Sequence, residues 1–237
     1  MTLVVATYLW SDPARDSQRR GYTFRHEHVH VLRNMVSRNL TVPNRFVCVT
    51  DDKIDGVDCV PLDWRKHVPG TVFIRLMQHR PDIKDVFGQD VTRILSLDLD
   101  VVITGNIDHI VSRPESAVWW RNPNHPKPGR AFFQSSVQFF EPGARSFLWS
   151  DFDPKETVKF VNWRFGGKEQ AWLAERLEWN EATYTDADGI YGAGRLGSKG
   201  IGSELPENAC IVSFPGAREP SQPETQQIHP WIRNWYY

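Results

Sequence analysis

Cysteine is scarce in this chain. There are three in 237 residues (Cys48, Cys59 and Cys210), far apart and without a C-x-x-C pair. An odd, scattered set supplies neither a disulfide framework nor a thiolate zinc site, so the three read as small buried hydrophobes. Long apolar runs are missing too, and nothing approaches the roughly 18 residues of a membrane span. The opening MTLVVATYLWSD lacks the basic segment and the apolar length of a secretory leader. Positive charge is not in excess: 28 Lys and Arg against 29 Asp and Glu leave a formal charge of −1. That excludes a nucleic-acid partner held by a basic surface. No internal repeat is visible. Together these absences describe a soluble, cytoplasmic protein with no transmembrane segment.

What the chain has in quantity is aromatic surface. Aromatics make up 12% of it, with ten Trp, and hydrophobic residues 40%, which rules out disorder and suits a single domain over 1–237. Leu3–Thr7 reads as a buried strand. Apolar residues at helical spacing then predict a helix over Tyr22–Asn39. Arg45–Thr50 reads as a second strand ending in Asp51-Asp52, and Cys59–Leu62 as a short third. Val72–His79 has helical spacing before Pro81, and Thr92–Ile103 (TRILSLDLDVVI) is a further apolar stretch. This alternation is the pattern of a mostly parallel α/β sheet flanked by helices.

The second half is more mixed. Ala117–Trp120, Ser136–Phe140 and Ile211–Phe214 read as strands. Ala144–Trp149, Thr157–Trp163 and Lys168–Leu177 read as helices, ahead of a Pro- and Gln-rich tail.

Asp98 and Asp100 carry the most informative chemistry. On a regular strand, residues two apart share a face. Two adjacent carboxylates repel, and a divalent cation relieves that repulsion; hard oxygen ligands suit Mn2+ or Mg2+. Such a cation bridges the phosphates of a nucleotide, at the carboxyl end of a strand where open α/β sheets bind ligands. A competing motif is His26-Glu27-x-x-His30. It matches the zincin signature, with two histidines one helical turn apart and a glutamate to activate water. No third ligand follows at a zincin spacing.

LSLDLDVVITGNID resembles the metal-binding segment of GT-A-type glycosyltransferases. It is especially similar to glycosyltransferase family 8 and its bacterial and phage relatives, in Asp98, Asp100 and Gly105-Asn106-Ile107-Asp108. The order of the N-terminal strand, Thr50–Asp52, Arg75-Leu76, Gln134–Val137, Lys168–Leu173, Ser198-Lys199 and Ile211–Gly216 agrees.

The resemblance implies a GT-A fold with a nucleotide-binding half (1–108) and an acceptor-side half with a C-terminal tail (109–237). It implies transfer of a sugar from a nucleotide-diphosphate donor, with a UDP-sugar favoured, to a glycan or other hydroxyl acceptor. Asp98 and Asp100 would ligate the metal and Asp98 would also meet the donor. Thr7 and Tyr8, just past the first strand, and Asp51 would contact base and ribose. Arg75 would face the donor, Lys199 would help neutralise the leaving diphosphate, and Glu169 would be the acceptor-side carboxylate.

Family 8 implies retention of configuration; an inverting route would need a base such as Glu169, Asp186 or Asp188. Trp119, Trp120, Trp163 and Trp172 are candidate cleft aromatics. The sequence also departs from the family pattern. Ser213 stands where family 8 commonly has a metal-binding histidine, and Pro215 where relatives with FHG have theirs. Either His229 comes in from the tail or water fills the place. An inactive nucleotide-sugar-binding relative and a zinc protease are the alternative readings.

Overall fold

The structure, a computed structural model, describes residues 2–10, 24–62, 72–123, 127–129, 132–157, 169–193, 200–214, 216 and 218–237. A seven-stranded sheet runs in the order β3-β2-β1-β4-β7-β6-β8. Its strands are β1 (Thr2–Leu9), β2 (Asn44–Thr50), β3 (Asp58–Pro61), β4 (Val91–Leu97), β6 (Ala117–Arg121), β7 (Phe133–Phe140) and β8 (Thr183–Tyr184). All run in one direction except β7, which is antiparallel to β4 and β6. A three-stranded sheet has the order β5-β10-β9, with β5 (Val101–Ile103), β9 (Ile190–Gly192) and β10 (Ile211–Ser213).

The chain winds outward from β1 to β3 and returns on the other side of β1 with β4. The sheet therefore has its switch point between β1 and β4, the place where open α/β sheets bind ligands at the strands' carboxyl ends.

Both faces of the large sheet are covered, because β1 sends Leu3, Val5 and Leu9 into one core and Val4, Ala6 and Tyr8 into the other. On the first face lie the small sheet and α1 (His26–Asn39), whose Val29, Leu32, Met35 and Val36 form a buried stripe at helical spacing. On the second lie a 3-10 helix (Val72–His79), α2 (Ile83–Phe87), α4 (Phe147–Ser150) and α5 (Glu169–Arg176). They contribute Phe73, Met77, Phe87, Leu148 and Trp172. A short α3 (Asp108–Val111) follows β5.

Several sequence expectations shift. Thr92–Ile103 is two strands in two sheets, because Leu99 buries itself in the first core and drags the chain out of the large sheet. Val72–His79 is a 3-10 rather than an α-helix. β1 continues through Tyr8 and Leu9, so Thr7 and Tyr8 lie inside the strand and are buried, not past its end. The tail folds into α6 (Pro223–Ile228) and a 3-10 turn (Pro230–Asn234), each started by a proline, which is preorganised for a first helical turn.

Trp119, Trp120 and Trp172 are core residues, since the sheet and α5 leave them no open face. Trp163 lies outside the described residues. Gly189 is obligatory: φ is +78°, and a Cβ would sit 2.3 Å from the Asn208 carbonyl. No helix among the described residues is long and apolar enough to cross a membrane.

His79 packs in the second core between Trp119 and Phe140, with ring centroids 5.5 and 4.9 Å away. Burial pushes its imidazole down to about 3, against a hydrogen bond that the ring donates to Gln138. The unfolded chain therefore binds one more proton between that value and 6.5, so stability falls as pH falls through this window. Between pH 7 and 5 this residue alone removes about 2 kcal/mol. Urea midpoints at the two pH values should show His79→Gln losing less stability than wild type by that amount; equal losses refute the assignment.

Candidate active site

The centre of the site is built at the carboxyl end of β4. Asp98 follows the strand's last residue, and its backbone N–H donates to the Ser136 carbonyl of β7 at 3.0 Å. The chain then turns through Leu99 and Asp100 into β5. Asp98 and Asp100 are half-buried and lie beyond the end of the strand, so strand alternation does not set their faces.

Arg75, from the 3-10 helix, reaches under this turn. Its Nη1 pairs with Asp98 Oδ1, while Nη2 pairs with Glu169 Oε2 at 2.5 Å and donates to Ser135 Oγ at 2.7 Å. The Arg75 side chain is 10% exposed, that of Glu169 1% and that of Asp98 23%. A guanidinium this deep is held charged by its partners. Burial alone would lower its pKa, but Asp98, Glu169 and Asp100 more than reverse that. Burial raises Glu169 to about 7, with Arg75 opposing and the charge of Asp98 adding to the rise. Among the described residues, three carboxylates thus gather around one guanidinium.

This arrangement revises two expected roles. Glu169 lies behind Arg75, away from solvent, because the first turn of α5 points it into the second core. Arg75 has both arms engaged, so it meets a phosphate only by exchanging partners.

A cleft of about 310 Å³ opens beside the ends of β1 and β2, lined by Leu9, Trp10, Phe24, Arg25, His26, Glu27 and Asp52. His26 Nε2 lies 3.0 Å from Asp52 Oδ2. His28 Nδ1 accepts from the Arg25 N–H at 2.9 Å, and its Nε2 is 3.2 Å from Ser221 Oγ. The H-E-x-x-H histidine thus serves a cleft wall. Asp51, expected to touch the base, is exposed at the end of β2, and its neighbour Asp52 is the one on the cleft. Thr7 and Tyr8 stay beneath, with the Tyr8 hydroxyl 3.4 Å from Met77 Sδ and Gln78 Oε1.

The remaining expected residues are spread out. Among the described residues, no three His, Cys, Asp or Glu side chains converge to hold a metal ion. This applies to H-E-x-x-H and to Asp98, Asp100 and His229 alike. His229 is fully buried; its Nδ1 donates to the Gly202 carbonyl at 2.8 Å, and its ring packs on Phe214 and Trp231. Ser213 pairs with Val101, and the next residue, Phe214, donates its N–H to the Asp100 carbonyl, so β10 does pass beside the aspartate turn. Asp188 takes Arg113 at 3.2 Å, and Asp186 is exposed. Lys199 lies outside the described residues.

Asp98 and Asp100 still fit a hard divalent cation. Both are hard oxygen donors at a partly open turn, and Arg75 engages only Oδ1 of Asp98. Sequence reasoning missed the cleft aromatics Trp10 and Phe24, and Ser135 as a partner of Arg75. Their only signal was position just past, or across from, the strand ends.

Solved structures share this fold. The galactosyltransferase LgtC, in complex with donor and acceptor sugar analogues, aligns with a TM-score of 0.57 at 11% identity, over 95% of this chain and 91% of its own. Mouse xyloside xylosyltransferase 1 gives 0.57 at 11%, over 91% of this chain and 98% of its own. Apo GlyE from Streptococcus pneumoniae TIGR4 gives 0.58 at 11%, over 94% of this chain and 57% of its own. The chain therefore has the GT-A-type glycosyltransferase fold. No protein-family model matches it, and no curated protein matches its sequence.

Glu169 makes stability fall as pH rises. Its folded pKa of about 7 lies above the ordinary 4.5, so its contribution is fully present below 4.5 and is lost as pH passes through 7. Between pH 5 and 8 the loss amounts to roughly 2 to 3 kcal/mol. Glu169→Gln should remove that decline from the pH profile of urea unfolding. A variant with the wild-type slope would show that Glu169 is ionised throughout.

Proposed function

We propose that the chain is a metal-dependent glycosyltransferase that moves a sugar from a nucleotide-diphosphate donor, a UDP-sugar by resemblance, to a glycan hydroxyl. The observation that carries this reading is the acidic Asp98–Asp100 turn at the switch point of a GT-A fold, one strand over from an aromatic cleft. LgtC, a structural neighbour, was solved with donor and acceptor sugar analogues. Residues 1–108 would hold the donor and 109–237 the acceptor. A cytoplasmic setting agrees with three free thiols.

Trp10 and Phe24 offer flat apolar walls for a nucleobase, and the His26–Asp52 pair and Arg25 offer polar edges. Asp98 and Asp100 would hold Mn2+ or Mg2+, with water completing the shell. When bound, the cation supplies positive charge against the leaving diphosphate. Without it, the carboxylates of Asp98 and Asp100 would repel a diphosphate. Lys199 is a further candidate for that charge. On the acceptor half, Trp179 is 47% exposed and stacks parallel to Phe133 at 6.5 Å, a surface suited to the apolar face of a sugar ring.

The test is a thermal-shift panel of nucleotide diphosphates and their sugars, each with Mn2+ or EDTA. A ligand at a hundred times its Kd stabilises by about 2.7 kcal/mol, or roughly 5–10 °C for a chain of this size. One nucleotide should shift the melting temperature with Mn2+, and Asp98→Asn with Asp100→Asn should abolish that shift. The same donor with a glycan acceptor should release free nucleotide diphosphate. A panel flat at millimolar ligand overturns the proposal.

A further inference from the structure

The pairing of β6 with β7 contains an irregularity that the fold does not need for its own closure. Ala117, Val118 and Trp119 pair with Phe140, Phe139 and Gln138, and then Trp120 pairs with Gln134 and Arg121 with Phe133. Ser135, Ser136 and Val137 therefore have no partner on β6. Extra residues of this kind bend a strand and re-aim its side chains, and they concentrate beside active sites.

On the other edge of β7, Val137 still pairs with Leu97 and the Ser136 carbonyl receives the Asp98 N–H. The bulge thus stays tied to the aspartate turn. Behind it, Gln138 Nε2 donates to the Ser135 carbonyl at 3.0 Å, and Gln78 Nε2 donates to Gln138 Oε1 at 3.1 Å. The Ser135 backbone is anchored in the core, and its hydroxyl meets Arg75 Nη2 at 2.7 Å.

Glu169 reaches the same nitrogen from another element. It opens α5, and the next residue, Gln170, donates through Nε2 to Gln134 Oε1 on β7. That side-chain bond ties the helix start to the strand one residue before the bulge. Arg75 therefore has one nitrogen gripped by two buried groups from two elements, while the other faces Asp98. A planar guanidinium transmits such a grip, because fixing one arm fixes the plane and direction of the other.

We propose that Ser135 and Glu169 are positioning residues: by holding Arg75 Nη2 from behind, they set the direction of Nη1 and through it the orientation of the Asp98 carboxylate. This rests on the glycosyltransferase reading only where Asp98 is taken as a cation ligand. The grip on Asp98 itself is a statement about the unliganded protein.

Three variants test it. Ser135→Ala removes the hydroxyl and leaves the bulge, Ser135→Thr restores a hydroxyl, and Glu169→Gln keeps the shape without the charge. Crystal structures should show the Asp98 carboxylate turned away from Arg75 in Ser135→Ala and Glu169→Gln, and in place in Ser135→Thr. Titration with MnCl2 alone, read by the electron paramagnetic resonance of free Mn2+, should show about tenfold weaker binding in the first two and affinity within twofold of wild type in Ser135→Thr. Asp98 unmoved in both Ser135→Ala and Glu169→Gln overturns the inference whatever the metal does. A displaced Asp98 with wild-type Mn2+ affinity leaves the inference standing and removes Asp98 from the cation reading. If wild type binds no Mn2+ while Asp98 is displaced in both variants, the inference stands and the cation reading falls.

Discussion

A single buried guanidinium sets the terms for the centre of this molecule. Taking a charge out of water costs several kcal/mol even after relaxation, and removing one partner of a buried pair leaves that cost uncompensated. Arg75 meets this constraint with Asp98 on one arm and Glu169 and Ser135 on the other. Those three residues come from the end of β4, the first turn of α5 and the bulge of β7. These contacts therefore fasten the antiparallel strand and α5 to the carboxyl end of the parallel sheet. Glu169 responds by taking a proton near neutrality, so the charge at the centre depends on pH.

The aspartate turn is the second constraint. Leu99 buries itself between the two aspartates, and the chain leaves one sheet for the other at that point. An apolar anchor with a carboxylate on each side leaves both acids half-buried at the edge of the core. The strand that completes the small sheet, β10, brings Ser213 and Phe214 alongside. Family 8 commonly has a metal-binding histidine on this strand, and a serine stands there instead. Under the proposed reading, a cation here would depend on the two carboxylates and water more than in an enzyme with that histidine.

Much of the fold was legible from local pattern. The alternation of apolar strands with amphipathic segments gave the parallel half, because buried strands and one-sided helices leave different periodicities. Asp98 and Asp100 stood out because two carboxylates in an apolar run are costly without a reason. The second half was less readable. Ser135 and Ser136 look like an ordinary polar break in a strand, and only the register with β6 reveals a bulge. H-E-x-x-H pointed to zinc, since a helix places His26 and His30 on one face; Asp52, 26 residues away in sequence, gives His26 a different partner. The tryptophans were equally ambiguous, because an indole suits a sugar cleft and a core alike.

What the sequence determined by itself was therefore chemical and local: which segments are strands and helices, and which acids sit at the end of an apolar run. Tertiary structure decided which side chains share a partner. Arg75, Ser135 and Glu169 are separated by 60 and 34 positions in the chain, and no periodicity links them. Their meeting follows from strand order, one antiparallel strand and one register slip. Burial then decides their charge, because desolvation raises a carboxylate's pKa while a neighbouring guanidinium lowers it.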